Sequence, residues 1–162
     1  MKFHQILMML FIAVFISSPA LAADEKLTSE DSTASKTSTI DITKIQEAAE
    51  KGDAKAEASL GDAYYFGKGV PKNYYESVKW LRKAADQGVG AAERNLGFAY
   101  YNGEGAPRDK VLSYMWFDLA AAHGDKEASQ NRDMIEQSMT AEQLASAQRM
   151  ASDWLQQHPK AK

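Results

Sequence analysis

Cysteine is absent from all 162 residues. That excludes a disulfide framework, thiol catalysis and any Cys-ligated metal. A membrane-spanning run is also missing. The apolar stretch Ile6 to Ile16 covers 11 residues, against the roughly 20 that a bilayer-crossing helix needs. There is no excess of positive charge: 19 basic residues face 22 acidic ones, for a net charge of −3. Such a balance, without a basic cluster, argues against nucleic acid and anionic membrane surfaces as partners.

What is present begins with "MKFHQILMMLFIAVFISSPALA". Lys2 supplies a positive start, Ile6 to Ile16 an apolar core, and Ala20-Leu21-Ala22 a small-x-small cleavage site. This is the anatomy of a secretory signal peptide, residues 1–22, with cleavage expected after Ala22; an uncleaved anchor is the alternative. Cleavage would leave 18 basic and 22 acidic residues, a charge of −4. The expected location is therefore periplasmic or secreted, with no stable membrane insertion after cleavage. Residues 23–40, rich in Ser, Thr, Asp, Glu and Lys, have almost nothing to bury and are expected to form a disordered polar linker.

Beyond it the chain repeats itself. "AAEKGDAKAEASLGDAYYFGKGVPKNYYESVKWLRK" (48–83) superposes on "AADQGVGAAERNLGFAYYNGEGAPRDKVLSYMWFDL" (84–119) with a constant offset of 36. The matched pairs include Gly52/Gly88, Glu57/Glu93, Leu60/Leu96, Gly61/Gly97, Tyr65/Tyr101, Gly67/Gly103, Pro71/Pro107 and Trp80/Trp116. A degenerate third unit follows over 120–155. Periods of this length mark stacked supersecondary units.

Each unit carries two helical patterns. Ala56, Leu60, Ala63 and Tyr64 share a face at 3.6-residue spacing. Gly67 then stands where a left-handed residue closes a helix. Asn73, three residues before Glu76, and Asp109 in the next unit are placed as N-caps. The second helix is expected to bury Ser77, Trp80, Leu81 and Ala84, with Ser113, Trp116, Phe117 and Ala120 matching. Such a hairpin cannot cover its own apolar faces, so stacking is obligatory. Ile42 and Ile45, 36 residues before Val78 and Leu81, mark 41–51 as a lone second helix packing on unit one. At the other end Thr140 and Gln143 have capping-box spacing, Met139 and Leu144 are placed as a hydrophobic staple, and Leu144, Ala147, Met150, Ala151 and Trp154 form an apolar stripe. The expected fold is all-α: an α/α superhelix (solenoid) of stacked helix hairpins over 41–158 with a C-terminal capping helix.

The pattern AAxxGxxxAExxLGxAYYxGxGxPxxxxxSxxW resembles the Sel-one-like repeat (SLR) family, a relative of the tetratricopeptide repeat. The resemblance covers about 41–155 and implies a superhelical protein-interaction scaffold, used by exported bacterial members at the cell envelope. Ser77 and Ser113 stand where that family usually has alanine. Its secreted branch pairs cysteines within each repeat, which this chain cannot do.

No chemistry could be assembled from the residues. "FGKGVPKN" lacks the GxxxxGK[ST] spacing of a phosphate loop, and its second copy puts Glu104 where the lysine stood. The recurring Glu57 and Glu93 are expected to serve the repeat, each through a hydrogen bond to a neighbouring loop. His123, aligned with Gln87 and Lys51, is expected in a solvated turn. No metal, cofactor or catalytic set is expected, and the chain is read as a non-enzyme.

Positions that differ between units are free for function. On the first-helix face opposite Leu60 stand Lys55, Asp62 and Tyr65, then Arg94, Phe98 and Tyr101, then Met134. The resemblance places this face on the concave side, as a partner-binding strip for a protein or peptide of the cell envelope. For Phe98, packing against a neighbouring helix is an equal alternative, and the recurrence of Tyr65 and Tyr101 favours a structural role for them. A cell-wall- or β-lactam-directed hydrolase, or a subunit of one, is the alternative function.

Overall fold

The computed structural model describes residues 42–159. The expected signal peptide and linker lie outside that range. Among the described residues there are seven helices and no strand: α1 (42–50), α2 (Ala54–Phe66), α3 (Tyr74–Ala85), α4 (Gly90–Asn102), α5 (Lys110–Ala122), α6 (Lys126–Glu136) and α7 (Ala141–Gln157). They form a helical-repeat solenoid, with α2 packed on α3 and α4 on α5 as hairpins, and with α5 covered by α6 and α7.

The helix ends are built as the repeat demands. Asp53, Asn73, Asp109 and Asp125 each accept backbone N–H bonds of the first turn that follows, a contribution of about 1 kcal/mol apiece. Thr140 and Gln143 complete a reciprocal capping box at α7. Asn73 caps Tyr75 and Glu76, but the Glu76 carboxylate turns to Lys79 at 3.3 Å. Gly67 and Gly103 close α2 and α4 at φ 72° and 77°, their N–H groups donating to Ala63 and Ala99.

Burial follows the expected stripes. Ile42, Ala49, Leu60 and Ala63 join α1 to the first hairpin, so the lone leading helix does pack on unit one. The central cluster gathers Leu81, Ala84, Leu96, Met115, Trp116, Leu119, Ala151 and Trp154 from α3, α4, α5 and α7. A third cluster unites Tyr114, Phe117, Ala120, Ala128, Ile135 and Ala147. Close helix approach depends on small residues: a Cβ on Gly97 would stand 2.7 Å from the Phe117 ring.

Two apolar expectations need correction. Trp80 is only partly buried and carries the Lys83 ammonium 4.0 Å above its ring, whereas Trp116 is fully enclosed by the Trp154 edge at 5.4 Å and the Arg82 guanidinium. Met150 is exposed on α7, the last helix among the described residues.

Candidate partner-binding cleft

A cleft of about 290 Å³ crosses the first helices of all three units. Tyr65 and Phe66 enter it from the last turn of α2, Arg94, Asn95, Phe98 and Asn102 from α4, and Glu127 from the first turn of α6. Helical spacing explains the set: Asn95, Phe98 and Asn102 recur at three and four residues along one face.

The apolar part is a group of rings in edge contact. Phe98 meets Phe117 at 5.0 Å, Tyr65 meets Phe66 at 4.9 Å, and Tyr65 meets Tyr74 at 5.1 Å. Phe98 packs on Phe117 of α5 and also lines the cleft. Phe66 is 60% exposed.

The polar part is held in fixed pairs. Arg94 Nη1 lies 3.0 Å from Asp125 and 3.1 Å from Glu127. Asp125 is itself tied to the start of α6 through the Ala128 N–H. Asn95 donates to Asp62 at 2.7 Å; burial pushes the Asp62 carboxyl up, against the Asn95 bond and the Arg94 and Lys68 charges. The Tyr65 hydroxyl donates to Glu104 at 2.7 Å, and Asn102 donates to the same oxygen at 3.2 Å. That hydrogen bond, more than burial, pushes the Tyr65 phenol up to about 12 and holds Glu104 below its ordinary value.

Of the strip read from sequence, Tyr65, Arg94 and Phe98 come together in the cleft, and Asp62 joins through Asn95. Lys55 does not: it stands ten residues before Tyr65 on α2, about 15 Å along the helix axis. Tyr101 and Met134 lie outside the lining; they hold the places of Tyr65 and Phe98 one repeat on and are 36% and 53% exposed. Phe66, Asn95 and Asn102 were missed. Phe66 and Asn102 occupy one repeat position with different side chains, as do Ser59 and Asn95, so the rule of variable positions could have found them.

The repeated hairpins are matched by the family model described as Sel1 repeat over residues 54–89 and 90–125. The chain carries two Sel1 repeats. Solved structures with the same architecture include that of c5321, a protective antigen present in uropathogenic Escherichia coli strains displaying an SLR fold. It is 37% identical, with a TM-score of 0.70 over 74% of this chain and 26% of that one. A Sel1 repeat protein from Oxalobacter formigenes is 38% identical, with a TM-score of 0.57 over 59% of this chain and 40% of the other. The chain thus spans about a quarter and two fifths of the lengths of these proteins. No curated protein matches it. Sel1 repeats typically serve as protein-interaction modules, and the cleft lies between successive Sel1 first helices.

Proposed function

We propose that this is an exported, non-catalytic interaction module that holds a partner protein or peptide of the cell envelope on the concave face formed by α2, α4 and α6. The observation that carries the reading is the cleft itself. Three aromatic rings, one of them 60% exposed, stand in a groove crossing three units, beside an arginine fixed by two carboxylates. Aromatic and arginine side chains in such settings dominate protein recognition. Export is supported by the signal-peptide pattern of residues 1–22.

The test is affinity capture from envelope extract with wild type, Phe66→Ala and the Phe98→Ala/Arg94→Ala double variant. Partners held by wild type and lost by the variants are expected; unchanged partners overturn the proposed face. The mass of the chain recovered from the envelope fraction, expected to begin at Ala23, tests export.

A further inference from the structure

Two side-chain amides of α4, Asn95 and Asn102, line the cleft with Phe98 between them on the same helix face. Each donates one N–H to a carboxylate, Asn95 to Asp62 at 2.7 Å and Asn102 to Glu104 at 3.2 Å. The Tyr65 hydroxyl fixes Glu104 in turn at 2.7 Å. An ionised carboxylate only accepts, so it decides which end of each amide turns toward it. An Asn NH₂ has two hydrogens, and the second of each amide is uncommitted; among the described residues neither Oδ1 receives a hydrogen bond. Each amide therefore presents one donor and one acceptor, the same pair that a peptide main chain offers along its length.

The repeat itself does not need these amides. At the place of Asn95 one unit before and one unit after, Ser59 and Asn131 turn back on their own helices, donating to Lys55 O and Glu127 O. Phe66 holds the place of Asn102 in the first unit. Nor does the lining favour one sign of charge. Its one cation and its one anion, Arg94 and Glu127, lie 3.1 Å apart. Around it the Lys68 charge acts on Asp62 and the Lys72 charge on Glu104. Arg94 makes both of its ion pairs through Nη1, which leaves further N–H groups for a carbonyl oxygen. A lining balanced in charge and offering both donors and acceptors suits neutral polar groups better than an ion of either sign.

Resting on the interaction reading above, we propose that the cleft holds an uncharged, extended segment of its partner by the main chain. Asn95 and Asn102 each accept from one peptide N–H and donate to one C=O, and an apolar side chain of the segment rests on Phe98 between them. The two amides stand seven residues apart on α4, about 10.5 Å along its axis. Three residues of extended chain cover that distance at about 3.3 Å each. Because carboxylates already hold both amides in place, little side-chain freedom is lost on binding.

Selection of displayed random peptides against the whole chain, followed by fluorescence anisotropy of synthetic versions, tests this. Expected are peptides that share an apolar residue but no charge, and that bind about equally at low and high salt. N-methylation should weaken binding at two main-chain positions about three residues apart. Asn95→Ser, which copies Ser59 of the first unit, and Asn102→Ala should each weaken it about two- to tenfold. In each variant one of the two N-methyl effects should vanish. Circular dichroism checks that both variants fold. Peptides that need Phe98 and Arg94 but require a charge and bind with steep salt dependence overturn the main-chain contact and leave the interaction face standing. So do N-methyl effects that are the same in wild type and in both Asn variants. No enrichment, or peptides bound equally by Phe98→Ala/Arg94→Ala, overturns both.

Discussion

His123 Nδ1 lies 2.8 Å from Glu93 Oε2, a carboxylate with no solvent exposure at all. One repeat earlier Gln87 Nε2 lies 2.7 Å from Glu57 Oε2, and both pairs span 30 residues. The acid stands in the first turn of a first helix, and its partner lies in the turn that leads to the next unit. The pair therefore ties the first helix of each hairpin to the turn that leaves the same hairpin. Burial pushes the Glu93 carboxyl up, against the hydrogen bond and charge of His123 that hold it down.

His123→Gln should be tolerated, because Gln87 shows that a neutral amide serves at this place. A cost within about 1 kcal/mol is expected, as for exchange of one hydrogen-bond donor for another. His123→Ala leaves the Glu93 carboxylate buried without that donor and should cost about 2–3 kcal/mol. Urea denaturation of both variants distinguishes a specific staple from a surface histidine, for which the two would cost the same.

This pair also shows how far the fold and the cleft could be read from residues alone. The 36-residue period, the caps and the closing glycines are local or periodic signals, and the structure follows them. The expectation that Glu57 and Glu93 bond to a neighbouring loop was right, and His123 is exposed in its turn as expected, but its bond to Glu93 was not read. The two halves of one contact lie 30 residues apart, and helical periodicity links only residues within a few turns. Phe66 escaped for a similar reason. It follows the recurring Tyr64-Tyr65 and precedes a helix-closing glycine, so it looked like part of the turn. Its place in the cleft comes from the stacking of α4 against α2, which no single-helix pattern contains.

The two serines at the matching second-helix position, Ser77 and Ser113, should behave oppositely. Ser113 Oγ donates to Gly97 O at 2.8 Å, whereas the buried Ser77 Oγ has no partner among the described residues. Ser113→Ala is expected to cost about 1 kcal/mol. Ser77→Ala removes an unpaired buried hydroxyl, and is expected to be neutral or to stabilise by up to about 1 kcal/mol. Thermal and urea unfolding of the two single variants check the sign.

Tyr65 should titrate late. Its phenol is pushed up from 10.0 to about 12, first by the hydrogen bond to Glu104. A folded-state value above the unfolded one means that this bond's contribution is complete below about pH 10 and fades as pH rises through 12. Glu104 titrates in the opposite sense: its folded value is depressed, so its share is present above the ordinary carboxyl range and is lost as pH falls through the lowered value. Glu104→Gln should bring the Tyr65 titration back toward 10. NMR of isotope-labelled tyrosine Cζ resolves it from the other six tyrosines, and a Tyr65 signal unmoved by Glu104→Gln would contradict the pairing.

Gly105 and Gly52 separate the two reasons for which a turn keeps glycine. Both have positive φ, 75° and 85°, a region that costs a residue with a side chain about 1–2 kcal/mol. A Cβ on Gly52 meets nothing within 4 Å, so Gly52→Ala should cost only that backbone term. A Cβ on Gly105 would collide with the Tyr74 carbonyl and crowd the Tyr75 amide at 3.0 Å. These are backbone atoms at the start of α3 and cannot rotate away. The second unit's loop would have to lift off α3, taking Glu104 with it and breaking the bond to Tyr65. Gly105→Ala should therefore cost about 3 kcal/mol or more and should also return the Tyr65 phenol toward its ordinary value. Gly52→Ala should leave that titration unchanged. Equal destabilisation of the two variants would mean that the loop yields without disturbing the neighbouring unit, and that the close approach of Gly105 to Tyr74 does not hold the repeats in register.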